Sequence, residues 1–566
     1  MHLSERRRGV TRRCVSLLLV ALLVLPVVQI QTTLAEEPRH FAIRGARIVT
    51  VSGAVIENGT VVMRNGLITA VGANAAVPAD AWVIEGRGMT VYPGFIDAAT
   101  DLGLQAATPA PGPGGPGGGG PGQQQAGQPQ PRGPEDRRGT TPWLMAADEI
   151  RTADRRIATW REAGFTSALS APRNGIFTGQ GAVINLAGED PRDMVVHTPA
   201  TLNMGTQGTG GYPGSLMGII AYIRQVFIDT EHYAAAQPIL AKNPRAAERL
   251  PYDRTVRVLR NAIQAQRPVL WPVNTQVSMK RVVEMSDAFK LNSVFVGAHY
   301  AYEDAAWIGQ KKIPVIASLR WPERAQNADP ELQESLRTLR HRDRAHTSPA
   351  ALHKAGVKFA FTNDGITNPK DMLKNAKKAI DAGLPADAAI RAFTLSAAEI
   401  LGVADRMGSI EAGKIANVVV TDGDIFNERT QIKYVFVDGR RHEIRAEERP
   451  RERPTANASG RWNLTVNTPN GAVNATANLT MAADGTLTGS ITSDMGSANI
   501  ARGFVSGNNF SFTFTMPVGG TPTEITMTGT MDGNNLKGSA NVGGQAMDVT
   551  GTKPGELSEA GQGGAR

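Results

Sequence analysis

A chain of 566 residues, 41% hydrophobic and 20% charged, is too long for one core and calls for two or three domains. Half of its formal charge of +8 lies in the first 35 residues, which hold five arginines and one glutamate. No basic stripe interleaved with aromatics is left to suggest nucleic-acid binding. The single cysteine, Cys14, sits ahead of an apolar run, so a chain processed after that run has neither disulfides nor thiol chemistry.

Residues 1–35 read as a signal peptide. Arg6-Arg7-Arg8 and Arg12-Arg13 form a basic head, Cys14 to Ile30 is apolar, and Thr33-Leu34-Ala35 offers small residues for cleavage. The mature chain is expected to begin near Glu36, and Arg12-Arg13 leaves both the general and the twin-arginine route open. The apolar run is shorter than the roughly 20 residues a spanning helix needs, so no stable membrane span is expected after cleavage. Export to a bacterial periplasm or the extracellular space follows.

Residues 41–95 alternate apolar and polar in short runs, with Asn65-Gly66 as a hairpin turn. From 92 to 402, strand-like runs at 92–97, 165–170, 181–186, 194–199, 268–273, 293–297, 313–318 and 357–362 are interspersed with amphipathic stretches at 143–163, 278–290, 369–382 and 386–401. Eight such strands predict an α/β fold, a (β/α)8 TIM barrel. The run at 181–186 also reads as a hairpin arm. Residues 108–133 are almost entirely Pro, Gly and Gln, a composition expected to stay disordered beside the active-site rim, as an inert insertion or a flexible lid. Strand-like runs return over 403–445, and 446–458 is a charged linker. Residues 459–551 carry about eight short strands with turns at Asp484-Gly485, Ser506-Gly507-Asn508 and Asp532-Gly533-Asn534, which predicts a small all-β domain, a meander closed as a barrel or packed as a sandwich. Residues 552–566 form a disordered tail.

Three stretches together resemble the amidohydrolase superfamily, in its imidazolonepropionase-like branch. The first runs from Asn65-Gly66-Leu67-Ile68 to Pro93-Gly94-Phe95-Ile96-Asp97. The second is Thr394-Leu395-Ser396-Ala397-Ala398-Glu399-Ile400-Leu401-Gly402, and the third is Gly408-Ser409-Ile410-Glu411-Ala412-Gly413-Lys414, closing at Val437-Asp438-Gly439-Arg440. The resemblance covers about residues 41–445. It implies a metal-dependent barrel, 92–402, flanked by a composite β-sandwich built from 36–91 with 403–445, and hydrolysis of carbon–nitrogen bonds other than peptide bonds.

The same resemblance implies two metal-binding histidines after strand 1, at times a modified lysine on strand 4, single histidines on strands 5 and 6, and an aspartate on strand 8. This chain departs from that pattern. Ala99 and Asp101 stand at the strand 1 positions and Pro272 on strand 5, whose ring cannot ligate a metal. Strand 4 carries His197, more often a structural histidine than a ligand. His299 follows Gly297 on strand 6, offset from the usual place. Asp364 matches the strand 8 aspartate, the ligand and general base. Asp364, Asp101 and His299 are therefore the candidate ligands for one divalent metal, zinc first, or for none, and Arg320 is a candidate for binding an anionic substrate. The expectation is a degraded metal centre with hydrolysis lost or altered. Its alternative is a pseudoenzyme that binds a small-molecule ligand or a partner, and a binding role for 459–551 is a third reading. Oligomeric state is not legible.

Overall fold

The computed structural model describes residues 40–104, 139–206, 213–243, 245, 250, 252–324, 333–444, 454–468, 471–482, 485–494, 496–518, 521–542 and 545–553. The signal segment, the 108–133 insertion, most of the charged linker and the tail from 554 lie outside the described residues. The chain divides into two compact units, Met1–Ile444 and Arg445–Arg566.

The first unit opens with β1 (His40–Ile48), β2 (Ile56–Arg64), β3 (Leu67–Gly72), β4 (Trp82–Glu85) and β5 (Thr90–Pro93). Eight further strands follow: β6 (Phe95–Thr100), β7 (Phe165–Ser170), β8 (Phe177–Asn185), β9 (Val195–Met204), β10 (Val269–Val273), β11 (Ser293–Gly297), β12 (Val315–Ser318) and β13 (Phe359–Thr362). β14 (Val418–Thr421), β15 (Ile432–Val437) and β16 (Arg440–Glu443) complete it.

One sheet runs β16-β15-β14-β5-β1-β2-β3, with β4 beside β1. It joins both ends of the unit, since β5 pairs antiparallel with β14 through Val91↔Val420. Hydrogen bonding links its strands in one sheet, and the sheet folds over on itself: the Phe41 and Phe436 rings, three strands apart in this order, meet with centroids 5.2 Å apart. The β2–β3 hairpin turns through Asn65 and Gly66 at φ +50° and +81°, the left-handed pair the sequence promised. Phe41, Ile43, Val61, Met63, Val91, Val418, Val420 and Phe436 form its apolar core.

The second sheet has the order β13-β12-β11-β10-β9-β8-β7-β6. Its two outer strands meet, because the Thr362 hydroxyl donates to Ala99 O and the Asn363 N–H donates to Asp97 Oδ1 at 3.3 Å. Its pairings are parallel except at β8, which runs antiparallel to both β7 and β9. The run at 181–186 is therefore a hairpin arm within the sheet. All nine residues of β8 are buried, so burial on both faces gives the run no alternation to read. Between β5 and β6, Gly94 is obligatory: a Cβ there would lie 2.0 Å from Thr166 Oγ1.

The helices follow local capping chemistry. Thr275 and Ser278 form a capping box on the helix Gln276–Phe289, and Asn368 caps Pro369–Asp381. The stretch expected helical over 143–163 is instead a 3-10 turn, Ala146–Glu149, and a short helix, Arg155–Glu162, that starts only where Asp154 caps it. The stretch 386–401 breaks at Thr394 into two helices. The longest helix among the described residues, Leu216–Lys242, shows no clear apolar stripe in the sequence, which gave no sign of it. Among the described residues no helix is long and apolar enough to cross a membrane.

The second unit is a closed barrel of β17 (Gly460–Thr468), β18 (Gly471–Met481), β19 (Leu487–Ser493), β20 (Gly496–Ser506), β21 (Asn509–Val518), β22 (Thr521–Asp532), β23 (Asn535–Val542) and β24 (Gln545–Thr552). β17 pairs with β24 to complete the circle. Trp462, Leu464, Phe510, Phe512, Phe514 and Met527 are buried in one cluster, so inward side chains fill this eight-stranded unit.

Candidate functional site

The carboxyl ends of the parallel strands gather the polar side chains. β11 ends at Gly297 and Ala298, both in the left-handed region at φ +91° and +47°. β13 ends in the same way, with Asp364 at φ +44° and Gly365 at +87°. Non-glycine residues adopt this conformation at a cost, and such strain gathers at functional sites. The two kinks bring His299 Nε2 to 2.9 Å from Asp364 Oδ2. Burial pushes the Asp364 carboxyl up, but the His299 hydrogen bond, the Ser318 hydroxyl and the Arg173 charge together hold it below the usual carboxylate range.

Other groups surround this pair. A Cβ at Gly297 would stand 3.0 Å from Asn274 Oδ1 and 3.6 Å from His299 Cδ2, and one at Gly365 would stand 3.5 Å from Arg320 Nη1. Asn274 and Arg320 thus flank the pair. Beside it, Tyr300 stacks on His341 with centroids 3.9 Å apart, and the Arg337 guanidinium lies 5.2 Å from the Tyr300 ring. The His341 pKa falls through burial and the neighbouring His299 and Arg337. This aromatic shelf was missed in the sequence, because His341 lies in a helix separated from β12 by residues that carry no strand signal.

Asp97, beneath the pair, is fully buried, and its Oδ2 has no hydrogen-bond partner. Its Oδ1 accepts from the N–H groups of Asn363 and Ala99 at 3.3 and 3.4 Å. Burial raises its pKa to about 7 against the pull of Arg173 and these donors. Arg173 itself donates to Ala99 O at 3.1 Å.

The other candidate residues lie elsewhere. Asp101 Oδ1 is held by Arg156 Nη1 at 2.9 Å, and the same guanidinium binds Asp101 O and Asp154. It does not join His299 and Asp364. Pro272 occupies β10 opposite Val296 in register. His197 is half-buried on β9 opposite Val183, and burial with the Arg406 and Arg267 charges keeps its pKa below the ordinary value.

These residues do not fit the metal centre that the resemblance implies. Among the described residues no three His, Cys, Asp or Glu side chains are grouped to hold a metal ion. His299 and Asp364 are two donors where a zinc site takes three or four protein ligands. The third candidate, Asp101, is committed to a guanidinium.

Residues 297–442 match the Amidohydrolase family. The amidohydrolase TasK of Hapsidospora irregularis is 24% identical over 426 residues, a match covering 67% of this chain and 39% of that protein. This chain therefore spans well under half of that relative's length. The crystal structure of an amidohydrolase from Thermotoga maritima superposes with a TM-score of 0.56 at 23% identity, over 71% of this chain and 99% of that one. Residues 297–442 thus resemble the amidohydrolase family, and the first unit has the fold of an amidohydrolase. The sequence resemblance and the fold thus agree, while the ligand set departs from both.

Proposed function

We propose that this amidohydrolase-superfamily protein is exported, that its ancestral reaction is hydrolysis of carbon–nitrogen bonds other than peptide bonds, and that this reaction has been lost or altered. Its curled sheet is read as a variant of the (β/α)8 barrel, with the antiparallel β8 inserted among the parallel strands and the composite sheet at its side. The observation that carries the proposal is the pairing of the strand 6 histidine with the strand 8 aspartate. His299 and Asp364 satisfy one another at 2.9 Å, while Ala99, Pro272 and the Arg156-bound Asp101 supply nothing to a metal pair. Two-metal hydrolysis needs cations that lower the pKa of bound water and clamp the reacting oxygens, and this donor set does not assemble them.

What remains is a carboxylate that orients an imidazole, beside Arg320 and an aromatic shelf. Such a cleft can bind a small polar molecule and move a proton at the free imidazole nitrogen. The second reading, an inactive ligand-binding protein, is favoured by the Arg156–Asp101 contact, which closes off the strand 1 position.

Metal analysis and an amidase assay test the proposal together. The purified chain is expected to hold less than one equivalent of zinc after dialysis, with a panel of N-acyl amino acids and cyclic amides turned over no faster with added zinc than without it. Stoichiometric zinc that disappears in Asp364→Ala, with zinc-dependent turnover, would overturn it.

A further inference from the structure

Away from the strand-end cleft, and sharing no residue with it, a cavity of about 200 Å³ opens between the helix Arg155–Glu162, the turn after β8 and strand β16. Arg161, Arg440 and His442 line it, with Ile157, Ala187 and Met194 as its apolar wall. Arg161 is half-buried and donates from Nη1 to Leu186 O at 2.8 Å. Among the described residues no carboxylate reaches ion-pair distance of it. A guanidinium removed from water without a counter-ion carries an uncompensated desolvation cost.

Arg440 is exposed, and its charge also acts on the Asp438 carboxyl. Its carboxylate neighbour, Glu189, is 3.9 Å away with its side chain 94% exposed, a geometry worth almost nothing in water. His442 Nε2 is buried and has no hydrogen-bond partner. Burial and the two arginine charges pull that imidazole down to about 4, so it is neutral at pH 7 and still lacks a partner. The half-buried Arg161, the exposed Arg440 and the His442 ring thus line the same small space, and His442 Nε2 behind it has no partner. Buried polar groups are nearly always satisfied, so each exception calls for a cause.

We propose that this cavity binds a small organic acid, its oxyanion held by Arg161 and Arg440 and its short apolar body resting on Ile157, Ala187 and Met194. Guanidinium forks match planar carboxylates, and the volume exceeds that of a bare oxyanion. The wall favours a carboxylate on a hydrocarbon body over inorganic phosphate.

Calorimetric titration of the full chain with benzoate, butyrate and inorganic phosphate tests the proposal. Benzoate or butyrate is expected to bind saturably, and Arg161→Met and Arg440→Met are each expected to weaken that binding at least tenfold with unchanged circular dichroism. In a histidine-labelled sample, the His442 resonances should shift on titration. Arg440 is on the rim, so Arg440→Met and His442→Asn carry the test should Arg161→Met not fold. Absence of saturable binding by all three probes, binding undiminished in Arg440→Met, or phosphate binding as tightly as benzoate would each overturn the proposal.

Discussion

Replacing Asp97 by Asn should stabilise the first unit at neutral pH, although the residue belongs to the most recognisable motif in the chain. The carboxyl is fully buried, one oxygen has no partner, and its pKa is raised from 3.8 to about 7. A raised carboxyl pKa means that the folded chain holds the proton while the unfolded chain has already lost it. Stability is therefore greatest below about pH 4, falls as pH climbs towards 7, and levels off above it. At roughly 1.4 kcal/mol per tenfold, the gap between 3.8 and about 7 amounts to about 4 kcal/mol at most. Asn keeps an acceptor for the N–H groups of Asn363 and Ala99 and removes the charge. Urea denaturation from pH 4 to 8 should show Asp97→Asn more stable than wild type by about 2–4 kcal/mol at pH 8, with the difference vanishing near pH 4. His442, with its lowered pKa, gives a slope of the opposite sign, but it is common to both proteins and cancels. Equal pH slopes, or a variant weaker than wild type at pH 8, would refute the reasoning.

Gly94→Ala should cost about 1–3 kcal/mol or more, since the added Cβ overlaps the buried Thr166; thermal melts should show it, with Thr166→Gly as a partial rescue. Asp364→Ala should destabilise by about 1–2 kcal/mol at pH 7 through loss of the His299 contact. Because the Asp364 pKa is lowered, that difference should be lost as pH falls below 4, which acid titration of the melts would check. Combining Ala99→His with Asp101→His should raise zinc uptake, read by metal analysis, and unchanged uptake would place the defect beyond the strand 1 ligands. Trp462→Ala removes the largest side chain inside the C-terminal barrel. It should cost about 3–5 kcal/mol in that unit, seen by calorimetry as a shift of that unit's transition alone.

Legibility followed local chemistry. The Asn65-Gly66 hairpin and the turn-punctuated C-terminal strands could be read because their signals are short-range: left-handed φ and alternation. β8 was hard to place because a strand buried on both faces looks alike in either direction. The His299–Asp364 contact joins two candidates that the sequence named separately, yet nothing local told that two left-handed kinks would aim them at one another. Asp101 went astray for the opposite reason. Its neighbour Arg156 lies beyond the Pro/Gly/Gln insertion, and no spacing rule links the two. The cavity beside His442 was wholly hidden, since it needs β16 and a helix from the other end of the unit.

The pairing of β5 with β14 also governs how this chain can be made. Val91 leaves the ribosome long before its neighbour Val420 exists, so a greasy strand must wait, half-partnered by β1, through the synthesis of the whole intervening sheet. Ordering that depends on so distant a segment is slow. A truncation anywhere short of Val418 would release a product with a permanently open sticky flank, and premature termination in this molecule should give aggregates instead of a smaller working protein.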